Sequence, residues 1–341
     1  MGNVVAVLGG GRIGRVHVQM LKRYERNARI KYIADPYPTP EMEQWAREYD
    51  VPTVITDAEE VFRDPEVNCI FICSPTPTHS NYILQACETG KHVYCEKPLD
   101  SDISRIHQAI EAIDRSGIRF LMGFMRRFDK NHQKLRQLVA DGELGEPHII
   151  KLCSRDPAPP SYDYINASGG IFFDSMIHDF DLARFFSGSE VVDVYALGNA
   201  LVDIKIGEIG DVDTAISALR FESGALAIID LSRRSNCGYD QRAEVHGSKG
   251  YAQVTNVPET TVVHGSPSGV RLDKPVFFFL ERYANAFAEA QRTFFEMVNE
   301  GKESPVTAFD GLQAVRIAMA AKRSLKEKRS VSINDMELRS M

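Results

Sequence analysis

The sequence predicts an α/β chain, with a doubly wound parallel sheet first and then an α+β domain on a large, mostly antiparallel open sheet. Three observations carry this. Val4-Val5-Ala6-Val7-Leu8 is apolar throughout, as a strand covered on both faces is. It runs into Gly9-Gly10-Gly11-Arg12-Ile13-Gly14, a glycine turn between strand and helix. Strand-like and helix-like runs alternate as far as residue 125, whereas beyond residue 190 strand-like runs follow one another without helices between them. The division expected is residues 1–123 and 124–341.

The glycine turn opens a helix in which Ile13, Val16, Met20, Leu21 and Tyr24 recur at helical spacing. Gly9, Gly11 and Gly14 form G-x-G-x-x-G. Gly9 serves the tight turn, Gly11 the close approach of a pyrophosphate, and Gly14 the packing of helix on strand, while the helix N-terminus directs its N–H groups at the phosphates. The next apolar run, 30–34, ends at Asp35, about 20 residues past the last glycine, where a ribose-binding carboxylate belongs. Asp35 alone would read as a strand-end residue before Pro36. The whole unit reads as a dinucleotide site of the Rossmann type, flanked by Arg12 and Ile13.

Beyond Asp35 the expected order is helix 40–49, strand 51–55, a short helix capped by Asp57, strand 68–74, helix 80–89 stopped by Gly90, strand 92–96, helix 102–115 closed by Gly117, and strand 119–125. Ligands bind such sheets at the carboxyl ends of the strands. Those ends carry the glycine turn, Asp35, the loop with Ser74, Thr76 and His79, and Glu96-Lys97-Pro98. The second half begins with helix 129–140 and strand 148–154. A proline- and tyrosine-rich loop covers 156–166, and one helix runs from Gly169-Gly170 to 186. Strands follow at 191–198, 213–221, 225–232, 242–246, 251–254 and 260–264, then helices at 279–299 and 308–326.

Composition narrows the function. A net charge of −7 without a long basic run argues against a nucleic-acid partner. The apolar run 276–280 is far too short for a membrane span, and the chain enters its first strand without a leader segment. The six cysteines form no C-x-x-C pair and no zinc spacing, which fits a reducing cytoplasm without disulfides.

Three groups of residues carry chemistry. A lysine at position 97, at a strand end, points into the cofactor crevice; beside an oxidised nicotinamide a like charge lowers its pKa and readies it for proton transfer. The bland alternative is a surface lysine before a proline. On a helix, Asp174 and His178 lie one turn apart on one face, with Asp181 a turn further on. The carboxylate can share a substrate hydroxyl and the imidazole can accept its proton. A helix cap or a metal pair are the rival readings, and no H-E-x-x-H or cysteine set accompanies a metal. Arg127, Ser154-Arg155-Asp156-Pro157 and Cys237-Gly238-Tyr239-Asp240 are further polar clusters, each of which alone reads as structural.

Taken together, the glycine turn, Glu96-Lys97-Pro98 and the Gly-Gly…Asp174…His178…Asp181 segment resemble the glucose-fructose oxidoreductase/inositol dehydrogenase/MocA-type oxidoreductases over almost the whole chain. Within that family the chain is most similar to inositol 2-dehydrogenases, through 123–129, Ser154 to Pro157, and Gly238-Tyr239-Asp240. The resemblance implies NAD as cofactor, a cyclic polyol as substrate, and Lys97, Asp174 and His178 at the reaction centre. It also implies oligomer contacts through the open sheet, a homotetramer above all, and a last helix packing back near the first domain. Some relatives carry His-Arg-Asn-Pro where this chain has Ser154-Arg155-Asp156-Pro157, which leaves the particular cyclitol open.

The reading is NAD-dependent oxidation of a secondary hydroxyl on a cyclic polyol, most simply myo-inositol to its 2-keto form. Expected cofactor neighbours are Gly9, Gly11, Arg12, Ile13, Gly14, Asp35, Ser74, Thr76, His79, Glu96 and Lys97. Expected substrate neighbours are Lys97, Arg127, Asp156, Asp174, His178 and Tyr239. The rivals are another inositol isomer or a pyranose, a non-catalytic NAD-binding subunit, and a transient hydride shuttle that releases no NADH.

Overall fold

A computed structural model describes residues 2–336. It divides into two compact units, Met1–Phe128 with Asn285–Val315, and Asp129–Ala284 with Arg316–Met341.

The first unit alternates β1 (Asn3–Leu8), α1 (Arg12–Tyr24), β2 (Ala28–Ala34), α2 (Pro40–Glu48), β3 (Thr53–Ile55), α3 (Glu59–Arg63), β4 (Cys69–Ile72), α4 (His79–Glu88), β5 (His92–Cys95), α5 (Ile103–Ser116) and β6 (Phe120–Met122). The strands form one parallel sheet in the order β3-β2-β1-β4-β5-β6. Its central strands are buried along almost their whole length, which is why they are apolar without alternation. Register sets the site. Leu8 pairs with Ala34 and with Ile72, and Ile72 pairs with Cys95, so Gly9, Asp35, Cys73 and Glu96 leave the same edge side by side. Asp102 caps α5 as expected, accepting from Ser104 N; Thr39, not singled out by the sequence, caps α2 by accepting from Met42 N; and Asp57 accepts from Glu59 N one residue before the Ala58 cap position of α3.

The second unit begins with α6 (Lys130–Ala140), β7 (Pro147–Arg155), α7 (Tyr162–Ala167), α8 (Ile171–Asp174), α9 (Ile177–Ser187), β8 (Val191–Asn199) and α10 (Ile204–Glu208). It continues with β9 (Thr214–Phe221), β10 (Leu226–Ser232), β11 (Asp240–Gly247), β12 (Gly250–Val254), a small hairpin β13 (Val263–Ser266) and β14 (Gly269–Leu272), and α11 (Phe279–Arg282). Next, α12 (Ala284–Glu300) falls almost wholly in the first unit, α13 (Ala308–Glu327) runs from the first unit into the second, and β15 (Val331–Ser332) completes the second sheet. That sheet has the order β12-β11-β7-β10-β9-β8-β15, antiparallel except where β10 runs parallel to β7. Along β9 and β10, buried and solvent-facing side chains alternate strictly enough to show one covered face and one open face.

Four expectations are corrected. The helix expected from Gly170 to 186 is broken at Ser175-Met176, where the Met176 N–H reaches back to Ile171 O and skips the regular register. The loop 156–166 contains α7, whose Ser161 cap accepts from Tyr164 N. The helix expected over 279–299 is interrupted at Tyr283. The last strand expected, 260–264, is a hairpin at 263–272. In the two long helices the apolar period is right in kind, and what it misses is a local backbone turn.

Candidate active site

In the first unit the three glycines differ in what requires them. A Cβ on Gly14 would lie 1.9 Å from Gly9 O, and one on Gly9, whose φ is +102°, would lie 2.7 Å from Cys73 O. Both glycines are demanded by the protein's own packing. Gly11 has no protein atom within 4 Å of where its Cβ would be, so the space it keeps open is not filled by the chain itself. Gly11 is also the N-cap of α1 and offers no side-chain hydrogen bond to the first turn, whose N–H groups remain directed outward. This cradle fits the pyrophosphate of a dinucleotide. The extra Gly10 also has a packing reason: a Cβ there would meet Met42 Sδ at 2.4 Å.

Asp35 fits the ribose role and adds another. Its Oδ2 accepts from Gly10 N at 2.8 Å and its Oδ1 from Tyr37 N at 3.0 Å, so the carboxylate fixes the glycine turn to the end of β2. Arg12 is exposed at the first position of α1, and Ile13 is half-buried behind it. In the next loop Ser74 Oγ donates to Thr78 Oγ1 at 2.6 Å, and Thr78 passes its own proton to Pro75 O; Thr76 opens the short turn between them.

His79 and Glu96, expected to face the cofactor, are turned inward. Both His79 nitrogens lie 2.8 Å from main-chain carbonyls, Nδ1 from Pro98 O and Nε2 from Ser74 O, so the ring ties two strand-end loops together. Burial lowers its pKa from the usual value, against the pull of those carbonyls. Glu96 Oε1 lies 2.7 Å from Nε2 of His17, a fully buried residue of α1. Lys97 follows Glu96, half-buried, with a cis bond to Pro98. Gly123 permits this corner, since a Cβ there would sit 2.9 Å from Cys95 O and 3.0 Å from Glu96 Cα. Arg127 is buried and donates to Asp310 at 2.9 Å; Asp310 in turn accepts from Thr307 N at the start of α13.

In the second unit the candidate residues are held by side chains. Asp174 ends α8, while His178 is the second residue of α9, so the two sit on either side of a break and not on one continuous helix. Asp174 Oδ1 accepts from Tyr164 OH at 2.9 Å and Oδ2 from Arg233 Nη1 at 3.2 Å. Arg233 is entirely buried, and its Nη2 also lies 3.8 Å from Asp211, which takes the N–H of Ile171 at the start of α8. His178 is buried but for 8 % of its surface. Asp179 accepts from Ser154 Oγ at 2.6 Å, and Asp181, fully buried, lies 3.9 Å from Arg184. Arg155 spans Asp230 at 2.6 Å and Asp240 at 3.5 Å. Asp240 pairs in register with Arg155, so Tyr239 and Asp156 leave the same end of the sheet. The Tyr239 ring is buried, its centroid 6.1 Å from those of both Phe278 and Tyr283.

Sequence reasoning passed over His17, Gln291, Tyr164 and Arg233. His17 was findable: it lies four residues after Ile13 and four before Leu21, on the apolar stripe itself. Gln291 and Arg233 meet partners distant in sequence, and Tyr164 meets Asp174 ten residues on, with no motif to mark the pair.

Residues 4–124 match the family model described as "Oxidoreductase family, NAD-binding Rossmann fold", and 132–253 match the "GFO/IDH/MocA C-terminal domain". The chain belongs to the GFO/IDH/MocA oxidoreductase family. It is 43% identical over 332 residues to a myo-inositol 2-dehydrogenase of Thermotoga maritima, covering 97% of this chain and 99% of that one. It is 44% identical over 334 residues to an uncharacterised oxidoreductase of Bacillus subtilis, covering 98% and 97%. Its fold superimposes with a TM-score of 0.91, at 28% identity, on the scyllo-inositol dehydrogenase of Lactobacillus casei crystallised with NAD(H) and scyllo-inositol, covering 98% and 100%. No helix among the described residues is long and apolar enough to cross a membrane, and none of the six cysteines is bridged.

Proposed function

We propose that this protein is an NAD-dependent dehydrogenase that oxidises a secondary hydroxyl of a cyclic polyol, specifically myo-inositol to the 2-keto inositol. The observation that carries the reading is the similarity to a myo-inositol 2-dehydrogenase over 97% of this chain, which spans both units. NAD, when bound, supplies the hydride acceptor. Gly11 and the open first turn of α1 hold its pyrophosphate, and Asp35 takes the ribose hydroxyls and disfavours the 2′-phosphate of NADP. Asp174, its carboxylate paired with Arg233 at 3.2 Å, accepts a hydrogen bond from the substrate hydroxyl. His178 takes the proton, and the Lys97 ammonium stabilises the oxygen as negative charge develops on it. Arg127, Asp156 and Tyr239 complete the substrate's surroundings.

The test is NADH formation with myo-inositol, other inositols, glucose, xylose and galactose, run with NAD and NADP. Fastest turnover of myo-inositol with NAD is expected. Preference for a pyranose overturns the substrate, equal efficiency with NADP overturns the cofactor choice, and tight NAD binding without reduction of any polyol revives a non-catalytic role.

In this reading the protein works in the cytoplasm as a homotetramer. The open face of the second sheet presents Tyr195, Leu197, Ile216, Leu226, Ile228 and Tyr251, all at least 39% exposed, a surface suited to a second copy of the chain. Light scattering of a monomer at micromolar concentration would sink this assignment.

A further inference from the structure

One buried chain of hydrogen bonds in the first unit lies outside the machinery described so far. His17 on α1, Glu96 at the end of β5 and Gln291 on α12 meet in the interior, with no exposure at His17 or Gln291. Nε2 of His17 lies 2.7 Å from Glu96 Oε1, and Nδ1 lies 2.8 Å from Gln291 Nε2. Phe71, Tyr94 and Phe287 enclose the imidazole, with ring centroids at 5.4, 4.8 and 5.6 Å.

The geometry fixes the tautomer. Gln291 Nε2 also lies 3.2 Å from the main-chain oxygen of His17, which can only accept. The amide end facing His17 is therefore the NH2 group. Nδ1 receives one of its protons, and the ring's own proton sits on Nε2, directed at the Glu96 carboxylate. The imidazole thus donates to a buried carboxylate and is itself held in place by an amide from a helix 274 residues away.

Two of the three elements joined lead directly to the expected cofactor site. α1 opens at the glycine turn five residues before His17, and Glu96 immediately precedes Lys97. We propose that His17 is a positioning residue for Lys97: by anchoring Glu96 to the helix of the glycine turn, it sets where Lys97 stands relative to the bound dinucleotide. This rests on the reading of Lys97 as a catalytic group.

The test compares two amides at position 17. The amide nitrogen of Gln falls near the place of Nε2 and reaches Glu96, whereas that of Asn falls near Nδ1 and does not. We expect His17→Asn to lower kcat about 100-fold, the cost of a misplacement of order 1 Å near the reacting atoms, and His17→Gln to recover about tenfold of it. The NAD dissociation constant and the polyol KM stay within about threefold of wild type in both. Equal kcat in the two variants overturns the proposal, as does loss of NAD affinity in parallel with kcat, which would mark a merely structural role. Nitrogen-15 NMR of the imidazole in the full-length protein is independent of turnover. A proton on Nε2 of His17 is expected, and a proton on Nδ1 overturns the proposal. Wild-type protein that oxidises no polyol would instead overturn the proposed function, and the tautomer would still decide the hydrogen-bonded chain.

Discussion

In the proposed reading, the two units build their parts of the chemistry from different materials. The first relies on main chain: a glycine turn, the outward N–H groups of a helix start, and strand ends aligned by register. The second relies on side chains. Tyr164 and Arg233 hold Asp174, Ser154 reaches Asp179, and Arg155 spans two aspartates. A main-chain device tolerates few sequences and suits a ligand that does not vary. A side-chain device can be rewritten residue by residue and suits a substrate that differs between relatives.

If His178 is the proton acceptor, as proposed, removing it should have the largest effect. His178→Ala should lower kcat about 100- to 10,000-fold with NAD affinity unchanged, as measured by steady-state kinetics and cofactor titration. Near-normal kcat at neutral pH would move the base to Lys97 and weaken the contrast between the halves.

The dependence of the second unit on side chains extends to its stability. Asp129 caps α6 and meets Arg282 through two contacts, at 2.6 and 3.2 Å, with both groups buried. Burial alone would raise the Asp129 carboxyl, but the hydrogen bond and charge of Arg282 and the nearby His132 bring it below its ordinary value. Asp129→Asn removes the carboxylate facing the buried Arg282 and should cost about 3–5 kcal/mol in denaturant unfolding. A carboxyl lowered in the folded state stabilises the protein above the ordinary carboxylate range, and that stabilisation is lost as pH falls through the folded value. The gap between wild type and variant should therefore narrow as the solution is acidified.

Gly11→Val sharpens the other side of the contrast. With open space at its Cβ position, the substitution should leave the melting temperature nearly unchanged and lower NAD affinity about 100-fold or more by calorimetry. Gly14→Val should instead prevent folding, because its Cβ meets Gly9 O. Equal damage to the fold by both would show that the cradle is packing and not a binding device. The smallest effect belongs to the open sheet: Leu226→Ser, 50% exposed, should change monomer stability by less than about 0.5 kcal/mol while weakening self-association in sedimentation.

The same contrast explains what the sequence disclosed. Gly9, Gly11, Gly14 and Asp35 were legible because a main-chain device requires particular residues at particular spacings. The parallel sheet was legible because its strands are apolar on both faces, and the second sheet because its strands alternate. The break at Ser175-Met176 was not, since apolar period survives a one-residue slip in the helical register. Nor was the pairing of Asp174 with Arg233, set by tertiary folding, whereas His17, the partner of Glu96, was marked only by its place on the apolar stripe of α1.

The return of α12 to the first unit has a consequence for synthesis. Phe71 and Tyr94 stack with centroids 4.9 Å apart, and Phe294 of α12 stands edge-on to both. On the ribosome, the six strands of the parallel sheet emerge long before the helix that seals this aromatic face. At about 5–20 residues per second, the wait for residues 285–315 is roughly 8–30 s. Throughout it the nascent sheet carries an unsealed apolar flank, with Glu96 and His17 still lacking their third partner. The amino-terminal half thus matures only after residues 285–315 have emerged, and a fragment stopping at residue 128 would display that flank permanently.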